Sequence, residues 1–322
     1  MLAYRETLLR IAIQEAAKQN LATYARAPML DHLGALTGAV RLPAQSARTM
    51  VEFALPPAET TIVIPAGTEI SSSDGDIVFI TAAVCALTAG QTTVSVWAEA
   101  TVPGGALNGI TPGQLTGLTT PPAAGMSARN TTTSYGGSDA ETDDHFRLRV
   151  MLSPERDACG TVSAYRLAAL SAHPDILDVA VTSEAPGVVT VSAATATGAP
   201  DEGLLDLLRT LLNAETFKPL TDRVIVIAPK RVPFVVEMQL ILLPGAPAAT
   251  SAAVQQALEG YAATLRKTLG RDLTPSRFIT LAQNTPGVQG VVIIRPTETS
   301  LTDHQYADCT AISITVSGVN NG

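Results

Sequence analysis

The sequence predicts an α+β multidomain chain: N-terminal helices, a small antiparallel β domain, then two α/β sandwich units with mainly antiparallel sheets. Three observations predict it. Residues 3–25 contain no Gly or Pro and place Tyr4, Leu8 and Ile11 at i, i+4, i+7, beside a second stripe of Leu9, Ile13 and Ala16. From Ala47 to Thr120 the apolar period changes to two, broken by Pro103-Gly104-Gly105, Asn108-Gly109 and Pro112-Gly113. Beyond Gly136 helical and strand patterns alternate. These changes divide the chain into 1–45, 46–135, 136–229 and 230–322.

The first segment reads as one helix over 3–25, stopped by Pro28, then a short helix Met29–Leu36. In the β domain, strands are expected at Met50–Leu55, Thr61–Ile64, Ile77–Thr81 and Thr92–Val102. In the last of these Val94, Val96, Ala98 and Ala100 alternate with Thr93, Ser95, Trp97 and Glu99. Residues Thr119–Ser134, rich in Thr, Pro and Ala, read as an extended linker.

The stretch Gly136–Val181 organises the second half. Ser138 or Thr142 can cap a helix whose first turn holds Asp143 and Asp144, with Arg147 and Arg149 toward its other end. That polarity satisfies free N–H groups and opposes the helix dipole. Asp139, Glu141, Asp143, Asp144 and His145 also form the one acidic cluster that resembles a metal site; capping is the preferred account of its carboxylates. A helix from Thr161 to Ala172 follows, with Tyr165, Ala168, Ala169 and Ala172 spaced for packing and Pro174 at its end. Ile176–Thr182 and Val188–Ala193 form a hairpin across Ala185-Pro186-Gly187. Asp201 caps a helix with Leu204, Leu208, Leu211 and Leu212 on one side, and Thr221–Ala228 is a strand.

The last unit opens with the strand Val232–Leu243, whose face of Phe234, Val236, Met238, Leu240 and Leu242 is unbroken. A helix Thr250–Leu269 carries Val254, Leu258, Tyr261 and Leu265. A short helix runs from Thr274 to Gln283, Gly287–Arg295 and Thr310–Ser317 are strands, and Thr297–Asp308 is a polar loop. The segments beginning at Thr161 and Thr274 echo each other as helix, Pro-containing turn and hairpin, which suggests two related units side by side.

Composition narrows the function. Charged residues make up only 16% of a chain with net charge −8, so much of its surface suits contact with other protein. The charge balance argues against nucleic acid and against anionic membranes, both of which need a basic face. Cys85, Cys159 and Cys309 are odd in number and far apart, which fits a reducing compartment. The N-terminus mixes Arg5, Glu6, Arg10 and Glu15 with its apolar residues, unlike a signal peptide, and Lys230, Arg231 and Glu237 interrupt the most apolar region. The chain is expected to be soluble and made in the cytoplasm.

No chemistry-bearing motif stands out. There is no P-loop, no G-x-G, no G-x-S-x-G and no H-E-x-x-H. His32, His145, His173 and His304 are isolated in sequence. His304, between Asp303 and Asp308, is the best lone base, with a solvated loop histidine as the plainer expectation. The expectation is therefore no catalytic residues, no cofactor site and no metal site. The competing reading is a ligand- or carbohydrate-directed protein with a site at a domain junction.

Several motifs, in order, resemble the baseplate J-like proteins of contractile-tailed phages and phage-tail-like particles. They are Ala27-Pro28-Met29-Leu30-Asp31-His32-Leu33-Gly34-Ala35-Leu36, then Arg41 and Ala44–Ala47, Phe53, and Ile64-Pro65-Ala66-Gly67-Thr68-Glu69-Ile70. Asn108-Gly109 follows, then Gly136-Gly137-Ser138-Asp139-Ala140-Glu141-Thr142-Asp143-Asp144-His145-Phe146-Arg147-Leu148-Arg149, the most specific piece. Gly160-Thr161 with Tyr165, and Asp222–Pro229, complete the series. The resemblance implies a non-enzymatic subunit of the baseplate wedge, forming the ring around the central spike and relaying the trigger for sheath contraction. It implies partners: other wedge proteins through the N-terminal helices, copies of itself within and between wedges, and spike or hub and sheath-initiating proteins nearby. It implies location in a virion or phage-tail-like particle.

Overall fold

A computed structural model describes residues 2–57, 59–155, 158–215, 217–219, 221–243, 245 and 249–319. The chain is α+β and multidomain, as expected, and separates into two compact units. One comprises the residues up to Ala35 with Val40–Phe146; the other comprises Leu36–Ala39 with the residues from Arg147 onward.

In the first unit, α1 spans Leu2–Lys18 and α2 Met29–Leu36. The long helix therefore stops ten residues before Pro28, which is not its terminator. Side chains end it instead: Asn20 donates back to the Ala16 carbonyl and the Gln19 amide oxygen accepts from Arg26 N. Such local bonds compete with continued helix.

Eight strands follow: β1 (Arg48–Ala54), β2 (Ile62–Ile64), β3 (Glu69–Ser72), β4 (Val78–Thr81), β5 (Cys85–Leu87), β6 (Thr93–Ala100), β7 (Leu115–Leu118) and β8 (Ser127–Asn130). Six form an antiparallel sheet in the order β7-β3-β4-β6-β1-β8, while β2 and β5 pair separately. Alternation puts Val96, Ala98 and Ala100 of β6 inside and Ser95, Trp97 and Glu99 outside, as the period-two pattern requires. The core is built on Val51, Phe53, Ile64, Ile70, Phe79 and Leu115.

The expected linker Thr119–Ser134 is not one. It contains β8, which pairs with β1 from Val51↔Asn130 to Ala54↔Ser127. Asn130, only 1% exposed, carries the two edge strands toward closure. Its Oδ1 accepts from Leu115 N at 3.0 Å and its Nδ2 donates to the Thr111 carbonyl at 2.9 Å. A side-chain amide thus supplies ladder bonds that the backbones of β7 and β8 do not make directly, which blunts two exposed edges.

Helix α3 (Asp143–Leu152) is capped by Thr142, whose hydroxyl accepts from His145 N, while Ser138 lies in a bridge with Gln45. In the second unit, α4 (Val162–Ala172) is capped by Thr161 and buries Tyr165, Ala169 and Leu170. Leu148 and Leu152 pack against the same core. β9 (Asp178–Ala185) and β10 (Val188–Ala194) make the expected hairpin. α5 (Glu202–Leu212) is capped by Asp201 and buries Leu205, Leu208 and Leu212, leaving Leu211 37% exposed. β11 (Arg223–Ile227) returns parallel to β10.

The final sheet comprises β12 (Lys230–Leu242), β13 (Val288–Arg295) and β14 (Gln305–Val319) in the order β13-β12-β14. α6 (Thr250–Arg266) and α7 (Pro275–Gln283) bury Val254, Leu258, Leu265, Phe278 and Ala282 against Phe234, Val236, Met238 and Leu240.

Two details correct the sequence reading. Each three-stranded sheet is mixed rather than mainly antiparallel, with one antiparallel and one parallel pair. Helical crossovers return β11 and β14 beside a strand of the same direction. The internal echo also ends at α7–β13, because β13 and β14 do not form a hairpin; β12 lies between them. The start of β14 at Gln305 absorbs the end of the expected polar loop.

Candidate assembly interface

Helix α1 has the least support from its own chain. Every described side chain from Ala3 to Lys18 is exposed. Tyr4 (70%), Leu9 (64%) and Ile13 (66%) stand largely in solvent, with Leu8 and Ile11 about half exposed. Two short ion pairs, Arg10–Glu6 and Lys18–Glu15, brace the helix along its length. Neither supplies a core. A helix with apolar residues on neighbouring stripes and no protein against either is suited to packing in a bundle with other helices.

The acidic cluster acts as a knot. Arg41 Nε and Nη2 donate to Asp31 Oδ1, Nη2 also reaches Asp143 Oδ1 at 2.8 Å, and Nη1 donates to the Glu141 carbonyl at 2.8 Å. Its guanidinium lies 4.8 Å from the centroid of the Phe146 ring. Burial opposes the charge on Arg41, but the Asp31 and Asp143 carboxylates outweigh it and raise its pKa above the usual value. Glu141 accepts from Leu42 N at 2.8 Å and meets His145 Nδ1 at 2.6 Å, both side chains being almost wholly buried. Asp139 accepts from Gly105 N.

Capping therefore does not account for each carboxylate, as the sequence suggested. Asp31, Glu141 and Asp143 hold α2, the segment at Arg41–Leu42 and the start of α3 together. Among the described residues no group of three or more His, Cys, Asp or Glu is arranged to hold a metal ion. Sequence reasoning missed Arg41 as the hub because its partners lie ten and about a hundred positions away, beyond any local pattern.

His304 is likewise not a solvated loop histidine. Its Nε2 lies 2.6 Å from Thr182 Oγ1 on β9 and its Nδ1 lies 2.7 Å from Ser192 Oγ on β10. Ser192 has no exposed surface, and the third group is a hydroxyl rather than a carboxylate. A serine–histidine pair buried in this way cannot meet a substrate; it fastens one sheet to the other. Nearby, Asp178 accepts from Leu269 N at 3.0 Å and Arg166 at 2.7 Å. The Tyr306 ring lies so close to Gly198 that a Cβ there would sit 2.5 Å from it.

A cleft of about 620 Å³ lies beside the first half of β12, lined by Val232–Val235, Leu273, Arg295–Thr297, Thr299 and Thr310. It contains one charged side chain and no acid, thiol or imidazole. Tyr165, under a smaller opening, donates to Asp222 Oδ2 at 2.8 Å; burial, reinforced by that bond, pushes its phenol pKa up. Among the described residues no helix is long and apolar enough to cross a membrane.

Four family models match in the order of the folded parts: the baseplate J-like protein N-terminal domain over residues 1–48, the barrel domain over 50–137, the central domain over 157–228 and the C-terminal domain over 235–315. Baseplate protein J of Escherichia phage P2 is 33% identical over 183 residues, 55% of this chain. The match spans 60% of that relative's length. A chain in the cryo-EM structure of the anti-feeding prophage baseplate, 6-fold symmetrised, is similar over 95% of this chain and 85% of its own, at 16% identity and a TM-score of 0.42. With four successive domain matches and the phage P2 relative, this chain belongs to the baseplate J-like protein family.

Proposed function

We propose that the chain is a structural subunit of the baseplate wedge of a contractile tail or injection particle. It sits in the ring around the central spike and relays the trigger for sheath contraction, acting by contact and without turnover of a substrate. The observation that carries this reading is α1, whose Tyr4, Leu9 and Ile13 stay in solvent although the other helices bury apolar faces. Other wedge proteins cover that helix in a bundle, further copies of the chain meet within and between wedges, and the hub and sheath-initiating proteins lie nearby. Four domains, at 1–45, 46–135, 136–229 and 230–322, divide this work, the first binding partners. The site of action is the virion or particle.

Co-expression with the proteins encoded by flanking reading frames, followed by size-exclusion chromatography, tests the reading. A co-eluting complex is expected, and Leu9→Arg with Ile13→Glu should remove the partner while leaving the chain folded. A lone monomer that takes up no flanking protein would sink it.

A further inference from the structure

The arm formed by α1 and α2 is held by little apolar surface of its own. From Ala3 to Ala35 the buried residues are Ala25, Leu30 and Gly34, so one large side chain is covered. Apolar burial is non-directional, whereas hydrogen bonds fix an angle. The direction of the arm is therefore set by its polar bonds.

Arg41 is placed to set it. It stands at the end of a ribbon in which Gln45 and Arg48 exchange both backbone bonds with Ser138 and Tyr135. Leu42 continues the ribbon, its N–H donating to Glu141 Oε2 and its carbonyl accepting from Glu141 N. From this fixed base the guanidinium crosses to the arm. Nε and Nη2 reach Asp31 on α2, Nη2 also reaches Asp143 on α3, and Nη1 donates to the Glu141 carbonyl. The other Asp143 oxygen accepts from Ala27 N at 3.2 Å, so this carboxylate meets the arm directly as well as through Arg41. The Phe146 ring on which the guanidinium lies has no exposed surface. The Arg129–Glu52 pair of the same unit differs: it joins neighbouring strands β8 and β1, and its Arg129 side chain is 67% exposed.

We infer that Arg41 is the positioning residue of the partner-binding arm: from outside α1 it latches α1 and α2 in the direction in which partner helices receive them. A helix already aimed loses less freedom when it is covered, so the latch raises affinity through order rather than through contact. The planar fork meets three acceptors at once; a lysine ammonium in the same place keeps the charge and cannot span them. Asp31 and Asp143 lie partly in solvent, at 44% and 35% exposure, so concentrated salt loosens the latch. The inference rests on the reading of α1 as the helix that partners cover, and it names the residue that aims it.

The test is hydrogen exchange on the full chain, read beside its affinity for the flanking-frame protein that co-elutes with the parent. In Arg41→Lys the amides of Ala27 and of α2 should exchange about tenfold faster, while those of β1 and β6 keep the parental rate. The dissociation constant of the complex should rise about tenfold. Arg129→Lys, which alters an ion pair away from the arm, should change neither. If Arg41→Lys does not fold, Asp31→Asn removes the arm's carboxylate and gives the same readout. Parental exchange in α2 overturns the inference. So does an equal rise in β1, which would make Arg41 a general support, or an unchanged complex beside a loosened α2. Failure of the wedge reading is seen separately, as a parent chain that takes up no flanking protein; the exchange pattern then decides the latch by itself.

Discussion

Helices α1 and α6 are both 17 residues long, and both carry apolar residues at helical spacing. α6 buries Val254, Leu258, Ala262 and Leu265 against its own sheet. α1 leaves Tyr4, Leu8, Leu9, Ile11 and Ile13 in water. α1 is the less amphipathic and the less apolar of the two, yet its apolar residues still fall at helical spacing. The difference lies in what the rest of the chain offers: β12 presents a continuous apolar face to α6, whereas among the described residues every side chain of α1 from Ala3 to Lys18 is exposed. A helix whose pattern demands burial, and whose chain provides none, points to burial by another molecule.

The comparison can be broken most directly by truncation. Leu258→Ala should destabilise the isolated chain by about 3 kcal/mol, the cost of a cavity at a fully buried leucine. Leu9→Ala should change the isolated chain by less than about 0.5 kcal/mol. Denaturant unfolding of both variants checks this; an equal loss would mean that α1 already packs on its own chain. The same Leu9→Ala should then weaken the complex with the flanking proteins.

Two buried polar links sharpen the contrast, because they show how fully the remaining structure satisfies itself. Asn130→Ala leaves Leu115 N–H and the Thr111 carbonyl without their partner and should cost about 2 kcal/mol. Hydrogen exchange should rise first at β7. His304→Ala removes the bonds to Thr182 and Ser192 and should cost about 1–2 kcal/mol, with faster exchange along β9 and β10. A neutral result for either would show that the group is not a fastener.

The smallest effect concerns pH. Burial, aided by the bond to Asp222, raises the Tyr165 phenol above its ordinary 10.0. Above that ordinary value the unfolded chain loses the proton while the folded one keeps it, so stability is complete below it and falls as pH rises. Tyr165→Phe should flatten this alkaline limb of the stability profile, measured by denaturant midpoints. It should cost about 1 kcal/mol at neutral pH for the lost hydrogen bond.

How much of this was legible in the sequence depends on the range of the cause. The helix expected from Thr161, the cap Asp201, the hairpin β9–β10 and the apolar face of β12 follow from neighbours a few positions apart, and each appears where the pattern put it. β8 did not, because its short Ser127–Asn130 segment is fixed by pairing with β1 some seventy positions earlier rather than by its own composition. Arg41, Asn130 and His304 were unreadable as fasteners for the same reason: their partners come from distant segments. His304 lies in a polar run that looks solvated, and only the fold reveals two hydroxyls waiting for its ring. The exposed helix is the converse case. Its amphipathic stripes were plain, while its early end at Lys18 turned on the side chains of Gln19 and Asn20.

The parallel pairing of β12 with β14 has a consequence for how the polypeptide becomes native. Lys230 finds Gln305 only after both intervening helices and β13 have been made. Closing so large a loop before the contact rewards it is slow, so the C-terminal core should be the late event of folding, while β9 and β10, joined by a tight turn, organise early. On a ribosome, β12 would wait with its Phe234–Leu240 face held only by α6 and α7, a window in which a chaperone has something to hold.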